Sequence, residues 1–256
     1  MNWLEALPNN RRRGSYPRCL TLMHGDRNAV ADRLTGIIDL AGVQITANDF
    51  WMPQGKPVLL GNDVWDKKTI KEAELDKVTD DILSEKQRNK LKEWWLENHK
   101  NNPRTPNWDL VSTCKIYEEK GLLLIEAKAH HGELSEQDAC KAGGVNRASI
   151  TEAMAGINKQ TGWNLSAEEH YQISNRFAWS WQLASMGVPV MLVYLGFLNA
   201  DEWGDDKLKD HDDWKKSVRE YSKDIVPGAI WSSKVSAGSS YFYPVIRSLT
   251  MDISFK

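Results

Sequence analysis

Residues 107–131 read NWDLVSTCKIYEEKGLLLIEAKAHH, and this stretch decides the fold. Two strand-like runs, 108–117 and 121–130, flank Glu118, Glu119, Lys120 and Gly121, a charged segment ending in glycine that has turn chemistry. A β-hairpin with a four-residue turn is expected. On its second strand, Glu126 and Lys128 alternate with Ala127 and Ala129 after the apolar run Leu122-Leu123-Leu124-Ile125. Strand pleating therefore projects the two charged side chains from one face, about 7 Å apart. Asp109 has the parity that places it on the same face. Taken literally, a four-residue turn pairs Asp109 with His130, so a bulge or a strong bend is required to bring the two carboxylates around one ion.

Outward from the hairpin, the pattern becomes that of an α/β chain. Residues 28–40 carry Val30, Leu34, Ile37 and Ile38 at helical spacing, with Gly42 beyond their end. Pro53, Gly55, Pro57 and Gly61 then break the chain into short extended pieces such as 57–60. A solvated helix is expected over 83–99, with Leu91, Trp94 and Trp95 as its apolar stripe. It runs almost directly into Asp109, which leaves little room for a preceding strand, so that strand is expected from the N-terminal region. Residues 134–163, with Gly143, Gly144 and Gly162, read as short helical fragments. Ser166 and Glu169 form a capping-box pattern ahead of a helix carrying Ile173, Phe177, Trp181 and Ala184, which Gly187 and Pro189 stop. The run 188–198 is almost wholly apolar, as a central strand covered on both faces requires. A last helix near 212–224 precedes a mixed segment, 241–249. The expected organisation is a single α/β domain over 1–256, with its core at about 80–200. Elaborations flank that core at about 1–79 and 201–256.

Composition bounds the chemistry. The 256 residues are 41% hydrophobic, enough for one substantial core. With 33 Lys and Arg against 35 Asp and Glu, the formal charge is -2, so any nucleic-acid contact must use a local patch. Three widely spaced cysteines, Cys19, Cys114 and Cys140, fit neither a disulfide framework nor paired zinc knuckles. Together with the lack of a signal-peptide pattern or membrane-length apolar run, they lead to the expectation of a soluble, cytoplasmic protein without membrane attachment. No phosphate-cradling glycine loop or nucleophile elbow is present, so ATP use is not expected.

Two carboxylates at a strand edge form a hard-oxygen site suited to Mg²⁺ or Mn²⁺, and an adjacent lysine completes a hydrolytic set. Glu118-Glu119-Lys120 is a second Glu-x-Lys instance, but it falls in the turn, where charges are merely solvated. Glu126 and Lys128 instead interrupt a buried strand.

Asn107-Trp108-Asp109-Leu110 and Leu124-Ile125-Glu126-Ala127-Lys128, with Pro106 close by, resemble the split motif of the restriction-endonuclease-like, or PD-(D/E)XK, nuclease superfamily. The later helix and buried strand resemble its common core, and the likeness covers about residues 103–200. It implies a mixed sheet flanked by helices, with Asp109 and Glu126 as metal ligands, Lys128 assisting attack and Ala127 lending its carbonyl. Tyr171-Gln172-Ile173-Ser174-Asn175-Arg176 is similar to a Gln-x-x-Asn-Arg pattern of uncharacterised bacterial relatives. Gln172, Asn175 and Arg176 are therefore auxiliary candidates, with a structural arginine as the alternative. The acidic residue of the first core helix is unplaced among Glu93, Glu97, Asp32 and Asp39, with Glu97 favoured because it borders the tryptophan stripe. His130 shares the Glu126 face and is a candidate ligand or proton shuttle. Arg11, Arg12, Arg13 and Arg18 form the dense basic cluster. The implied activity is Mg²⁺- or Mn²⁺-dependent hydrolysis of nucleic acid, DNA foremost, with a homodimer or a protein partner left open. An inactive binding protein of the same fold and a hydrolase of small phosphorylated molecules are the rival readings.

Overall fold

The hairpin is the middle of a seven-stranded mixed sheet in a mixed α/β fold. The computed structural model describes residues 2–60, 64–96, 104–135 and 137–253. In chain order, α1 (Ser15–Leu22) and α2 (Arg27–Ile38) precede three pairs of two-residue strands. These are β1 (Val43–Gln44) and β2 (Trp51–Met52), β3 (Val58–Leu59) and β4 (Trp65–Asp66), and, around α3 (Glu85–Trp95), β5 (Ala73–Glu74) and β6 (Asn107–Trp108). The hairpin strands β7 (Leu110–Ile116) and β8 (Glu119–Lys128) follow, then α4 (Gly144–Thr161), α5 (Tyr171–Ser185) and β9 (Val190–Leu198). The chain continues through α6 (His211–Ser222), β10 (Val235–Ala237) and β11 (Ser240–Thr250).

The sheet order is β1-β7-β8-β9-β11-β10, with β2 also on β7. β7 and β8 are antiparallel, and β8, β9 and β11 are parallel. Both strands that pair with the outer side of β7 come from the N-terminal region, as the short link before Asp109 requires. The C-terminal part also belongs to the sheet, because β11 pairs with β9 along that strand's whole length. The sheet therefore extends beyond residues 80–200.

The hairpin turn corrects the sequence reading. Ile116 pairs with Glu119, and only Tyr117 (φ 45°) and Glu118 (φ 73°) form the loop. Two left-handed residues match the twist of the flanking strands better than a longer turn. Gly121, read as a turn residue, lies inside β8, where an added Cβ would sit 2.7 Å from the Pro189 carbonyl oxygen. The register Leu110↔Ile125 then puts Asp109, one step beyond, opposite Glu126 instead of His130. No bulge is needed to bring the carboxylates together.

β9 is buried on both faces because alternate residues enter different cores. Val190, Leu192 and Tyr194 pack with α3 to α6 residues such as Trp95, Phe177, Trp179 and Trp214. Met191, Val193, Leu195 and Phe197 pack with Leu22, Val30, Leu34 and Ile38 of α1 and α2. Covering both faces is what makes the strand an unbroken apolar run.

Two helix boundaries differ from expectation. Residues 144–161 form one continuous helix that ends at Gly162 in the left-handed region, φ 75°. Its buried positions, Ile150, Ala153, Met154 and Ile157, are sparse among small and polar residues, which hides the helical period. Ser166 does accept from the Glu168 and Glu169 amides, but this caps a separate turn. α5 begins after left-handed His170, and Asp138 receives the Gln172 amide at 2.7 Å. The described part of the 83–99 expectation is α3, capped reciprocally by Ser84 and Gln87. No helix among the described residues is long and apolar enough to cross a membrane.

Gly196 on β9 pairs with Lys128, and a Cβ there would lie 2.6 Å from Trp214 Cγ, in a fully buried ring whose indole N–H donates to the Tyr194 carbonyl. Gly196→Ala is expected to lower unfolding stability by about 1–3 kcal/mol through overpacking. Urea denaturation checks this, and an unchanged midpoint contradicts the packing described.

Candidate active site

Asp109 sits at the bend where the chain leaves β6 for β7. β6 is drawn out of the main sheet by β5, through the pairs Ala73↔Trp108 and Glu74↔Asn107. Trp108 and Leu110 on either side of the bend are fully buried. They fix the half-buried aspartate between them, and its Oδ2 accepts from the Ala127 amide at 2.7 Å.

Glu126 and Lys128 extend β8 past the apolar run, at 3% and 6% exposure. Lys128 Nζ donates to Glu126 Oε1 at 2.6 Å, and Arg176 Nε of α5 donates to Glu126 Oε2 at 2.6 Å. Arg176 also donates to the Asn107 carbonyl at 2.7 Å and to Asn175 Oδ1 at 2.9 Å, and its guanidinium lies 4.4 Å from the Trp108 ring centre. One arginine thus ties β6, β8 and α5 together. Of the expected auxiliary residues, Arg176 and Asn175 reach this network, whereas Gln172 lies one helical turn away on the wall of the adjoining cleft.

Two carboxylates in this setting acquire opposite character. Burial disfavours ionised Glu126, but Arg176 and Lys128 outweigh it and hold the carboxyl below its ordinary value. Asp109 has neither partner in hydrogen-bond contact. Burial first, and then the Glu126 charge, push it up to about 8, against the opposing effects of Lys128 and the Ala127 amide. Burial likewise disfavours the Lys128 ammonium, yet Glu126, Asp109 and Glu133 together raise its value.

Glu72 is a neighbour that the sequence reading missed. Continuing the β5–β6 register one step sets it opposite Asp109, and Arg11 pairs with it at 3.0 Å. Burial raises its carboxyl despite Arg11. In the sequence it belongs to Lys71-Glu72-Ala73-Glu74, which reads as solvated charge. Only the pairing of β5 with β6 reveals it. Glu133 was also missed. It accepts from the Ala129 amide at 2.5 Å and from Ser15 Oγ at 3.1 Å.

Other expectations are not brought together here. His130 stacks on Trp203 with ring centres 3.6 Å apart, and its Nδ1 is 2.6 Å from Asp206 Oδ2. Neither Glu126 nor Lys128 is among its hydrogen-bond partners. Asp32, Asp39 and Glu93 are exposed, and Glu97 lies outside the described residues. The basic N-terminal cluster is largely committed inside the protein: Arg12 bonds the Leu7 and Glu5 carbonyls, and buried Arg18 bonds Glu202 and the Met251 carbonyl. Arg13, over the Trp203 ring, stays exposed.

Two clefts meet at Asn107. One, of about 520 Å³, is lined by Arg11, Lys67, Lys68 and Lys71 together with Asp66, Glu72 and Glu74. The other, of about 540 Å³, is walled by Gln172, Asn175 and Arg176. A larger cleft of about 780 Å³ lies beneath Arg12, Arg13 and Arg18, and none of Asp109, Glu126 and Lys128 lines any of these three clefts. Among the described residues, no three acidic, histidine or cysteine side chains form a ready-made metal cluster. No protein-family model, curated protein or solved structure matches the chain.

Two predictions follow from these charges. The Asp109 carboxyl rises from an ordinary 3.8 to about 8 on folding, so its contribution to stability is full below about pH 4 and is lost as pH rises through 8. In metal-free buffer, Asp109→Asn should match the wild type near pH 4 and exceed it at pH 8.5. A stability difference that does not vary with pH contradicts the assignment. Arg176→Met, which leaves the buried Glu126 charge half-paired, should destabilise the fold by about 3–5 kcal/mol, measured by the same denaturation.

Proposed function

We propose that the chain is a metal-dependent nuclease with a restriction-endonuclease-like core, hydrolysing nucleic-acid phosphodiester bonds at Asp109, Glu126 and Lys128. The observation that carries this reading is that Asp109 and Glu126 stand opposite each other across the hairpin with Lys128 bonded to Glu126, while Glu72, across from Asp109, lines the cleft that also carries Lys67, Lys68 and Lys71. The order of elements also supports it: an N-terminal strand on β7, the hairpin, then α5, preceded by the additional helix α4, and parallel β9. With a net charge of -2, a local lysine track is the kind of surface that would engage a phosphate backbone, DNA foremost.

The donor set fits Mg²⁺ or Mn²⁺. Mg²⁺ is commonly held by one or two carboxylates and keeps several waters, so a larger protein cage is not required. Asp109 and Glu126 would hold the ion, with the Ala127 carbonyl as a further oxygen. The raised Asp109 carboxyl marks a place where uncompensated negative charge is disfavoured, which a cation relieves. When bound, the ion supplies Lewis-acid stabilisation of the phosphoryl group. Lys128 directs its ammonium at the charge developing on the phosphoryl oxygens and orients the attacking water. Arg176 keeps Glu126 aimed, and the exposed lysines hold flanking phosphates.

One observation favours a second reading, an inactive nucleic-acid- or protein-binding member of the fold. Each Glu126 oxygen already accepts from a cationic side chain, as in a purely structural ion cluster.

Cleavage of labelled single- and double-stranded DNA and RNA with Mg²⁺ or Mn²⁺ separates the two. Folded Asp109→Ala and Lys128→Ala variants should each lose about 10²–10³-fold in rate. A wild type that binds these polymers and cuts none supports the inactive reading.

A further inference from the structure

The exposed apolar side chains of this protein are concentrated in one place. Of the seven large ones among the described residues, four, Val58, Leu59, Leu60 and Val64, belong to the hairpin of β3 and β4, which makes them a patch instead of background. Val58 and Leu59 are consecutive on β3 and so point to opposite faces, yet both are exposed, at 48% and 45%. Neither face of the hairpin therefore packs closely on the body of the protein. Its base is fixed: the Gln54 amide donates to the Thr69 carbonyl at 2.6 Å, and Thr69 Oγ1 donates to the Lys56 carbonyl at 2.8 Å. A two-stranded hairpin standing clear of a core gains little stability by itself, so what this one offers is a projecting apolar surface.

Charge at the foot of the hairpin indicates what that surface meets. Asp66, opposite Val58, lines the cleft that reaches Glu72 and Asn107, and Lys67 and Lys68 follow it directly. The acids of this cleft are engaged. Glu72 is paired with Arg11, Glu74 is paired with Lys77 at 2.6 Å, and Asp66 Oδ1 accepts from the Lys68 amide at 2.9 Å. Lys67, Lys68 and Lys71 are exposed and have no ion-pair partner among the described residues, so three ammonium groups stand against the charge of Asp66 alone. Apolar side chains bordered by free lysines match a polymer whose flat apolar faces are bordered by phosphates.

We propose that the hairpin of β3 and β4 is a wedge for double-stranded nucleic acid: Leu59 and Leu60 enter an opened base step while Lys67, Lys68 and Lys71 hold the flanking phosphates. The inference rests on the nuclease reading for its choice of polymer and adds how a duplex is handled beside the active site. A stacked duplex hides its apolar base faces, so the hairpin gains contact only where two base pairs part. A strand parted there follows the lysines toward Glu72 and Asp109.

The test is the emission of 2-aminopurine, which is quenched in a stacked duplex and rises when the base is unstacked. Short duplexes carrying this probe at successive positions are titrated with the full chain in EDTA, where metal-dependent cleavage does not intervene, and the anisotropy of an end label reports binding. The expected result is a several-fold rise in emission at saturation for at least one position. Leu59→Ser combined with Leu60→Ser, at two exposed residues, should keep the wild-type melting temperature and lose the rise, while Leu59→Phe, which keeps an apolar wedge, should retain it. Lys67→Ala combined with Lys68→Ala should weaken binding and lower the slope of log affinity against log salt by about 2, as two lost phosphate contacts require. A wild type that binds no duplex, or binds without a rise at any position, overturns the wedge, as does a double serine variant that raises the emission like the wild type. A wild-type dimer that the serine substitutions split, with no change in emission, assigns the hairpin to self-association and overturns it as well. If the wild type unstacks the duplex but cuts nothing with Mg²⁺ or Mn²⁺, the wedge stands and hydrolysis fails. If it cuts the duplex without any rise in emission, hydrolysis stands and the wedge fails.

Discussion

The carboxylate of Glu126, buried between Lys128 and Arg176, is the interaction on which the rest of the centre depends. An isolated buried charge is too costly to keep, so each cation is as necessary to the fold as the anion it holds. Arg176 then spreads the constraint: it binds the Asn107 carbonyl and lies over Trp108, which fixes the bend carrying Asp109. Well-packed apolar residues would often stabilise such a position equally well. Four ionisable groups, Asp109, Glu126, Lys128 and Arg176, are held around this one bend.

Around this group the N-terminal region acts as part of the site. Its strands β1 and β2 complete the sheet beside β7, Glu72 stands across from Asp109, and Ser15 braces Glu133 behind the Lys128 strand. Arg11 pairs with Glu72, whose charge adds to the repulsion from Glu126 that raises the Asp109 carboxyl. Acidic and basic groups thus alternate from the interior to the cleft, whose lining sets Arg11, Lys67, Lys68 and Lys71 against Asp66, Glu72 and Glu74.

What was legible in the sequence follows from periodicity. The hairpin, the buried β9 and helix α5 carry strong patterns, and the alternation at Glu126 and Lys128 placed both on one face of β8. The turn was misread because Gly121 looks like a turn residue, although its lack of a side chain serves a close approach to Pro189 inside the strand. Helix α4 was fragmented because its buried positions, Ile150, Ala153, Met154 and Ile157, are few among small and polar residues. Glu72 and Glu133 were invisible for a different reason: they reach the site through pairing and hydrogen bonds between distant segments, and nothing local marks a glutamate that will be half-buried from one that will stay in water. His130, read as sharing the Glu126 face, lies two residues beyond the end of β8 and is held by Asp206 and Trp203.

The most direct test is anomalous diffraction from crystals grown with Mn²⁺ and a short single-stranded oligonucleotide. The proposed chemistry predicts one strong manganese peak coordinated by Asp109 and Glu126, with a backbone phosphate beside Lys128. Absence of manganese there, with Lys128 and Arg176 still both bonded to Glu126 while the oligonucleotide is bound, would contradict it and leave the three charges as a structural cluster.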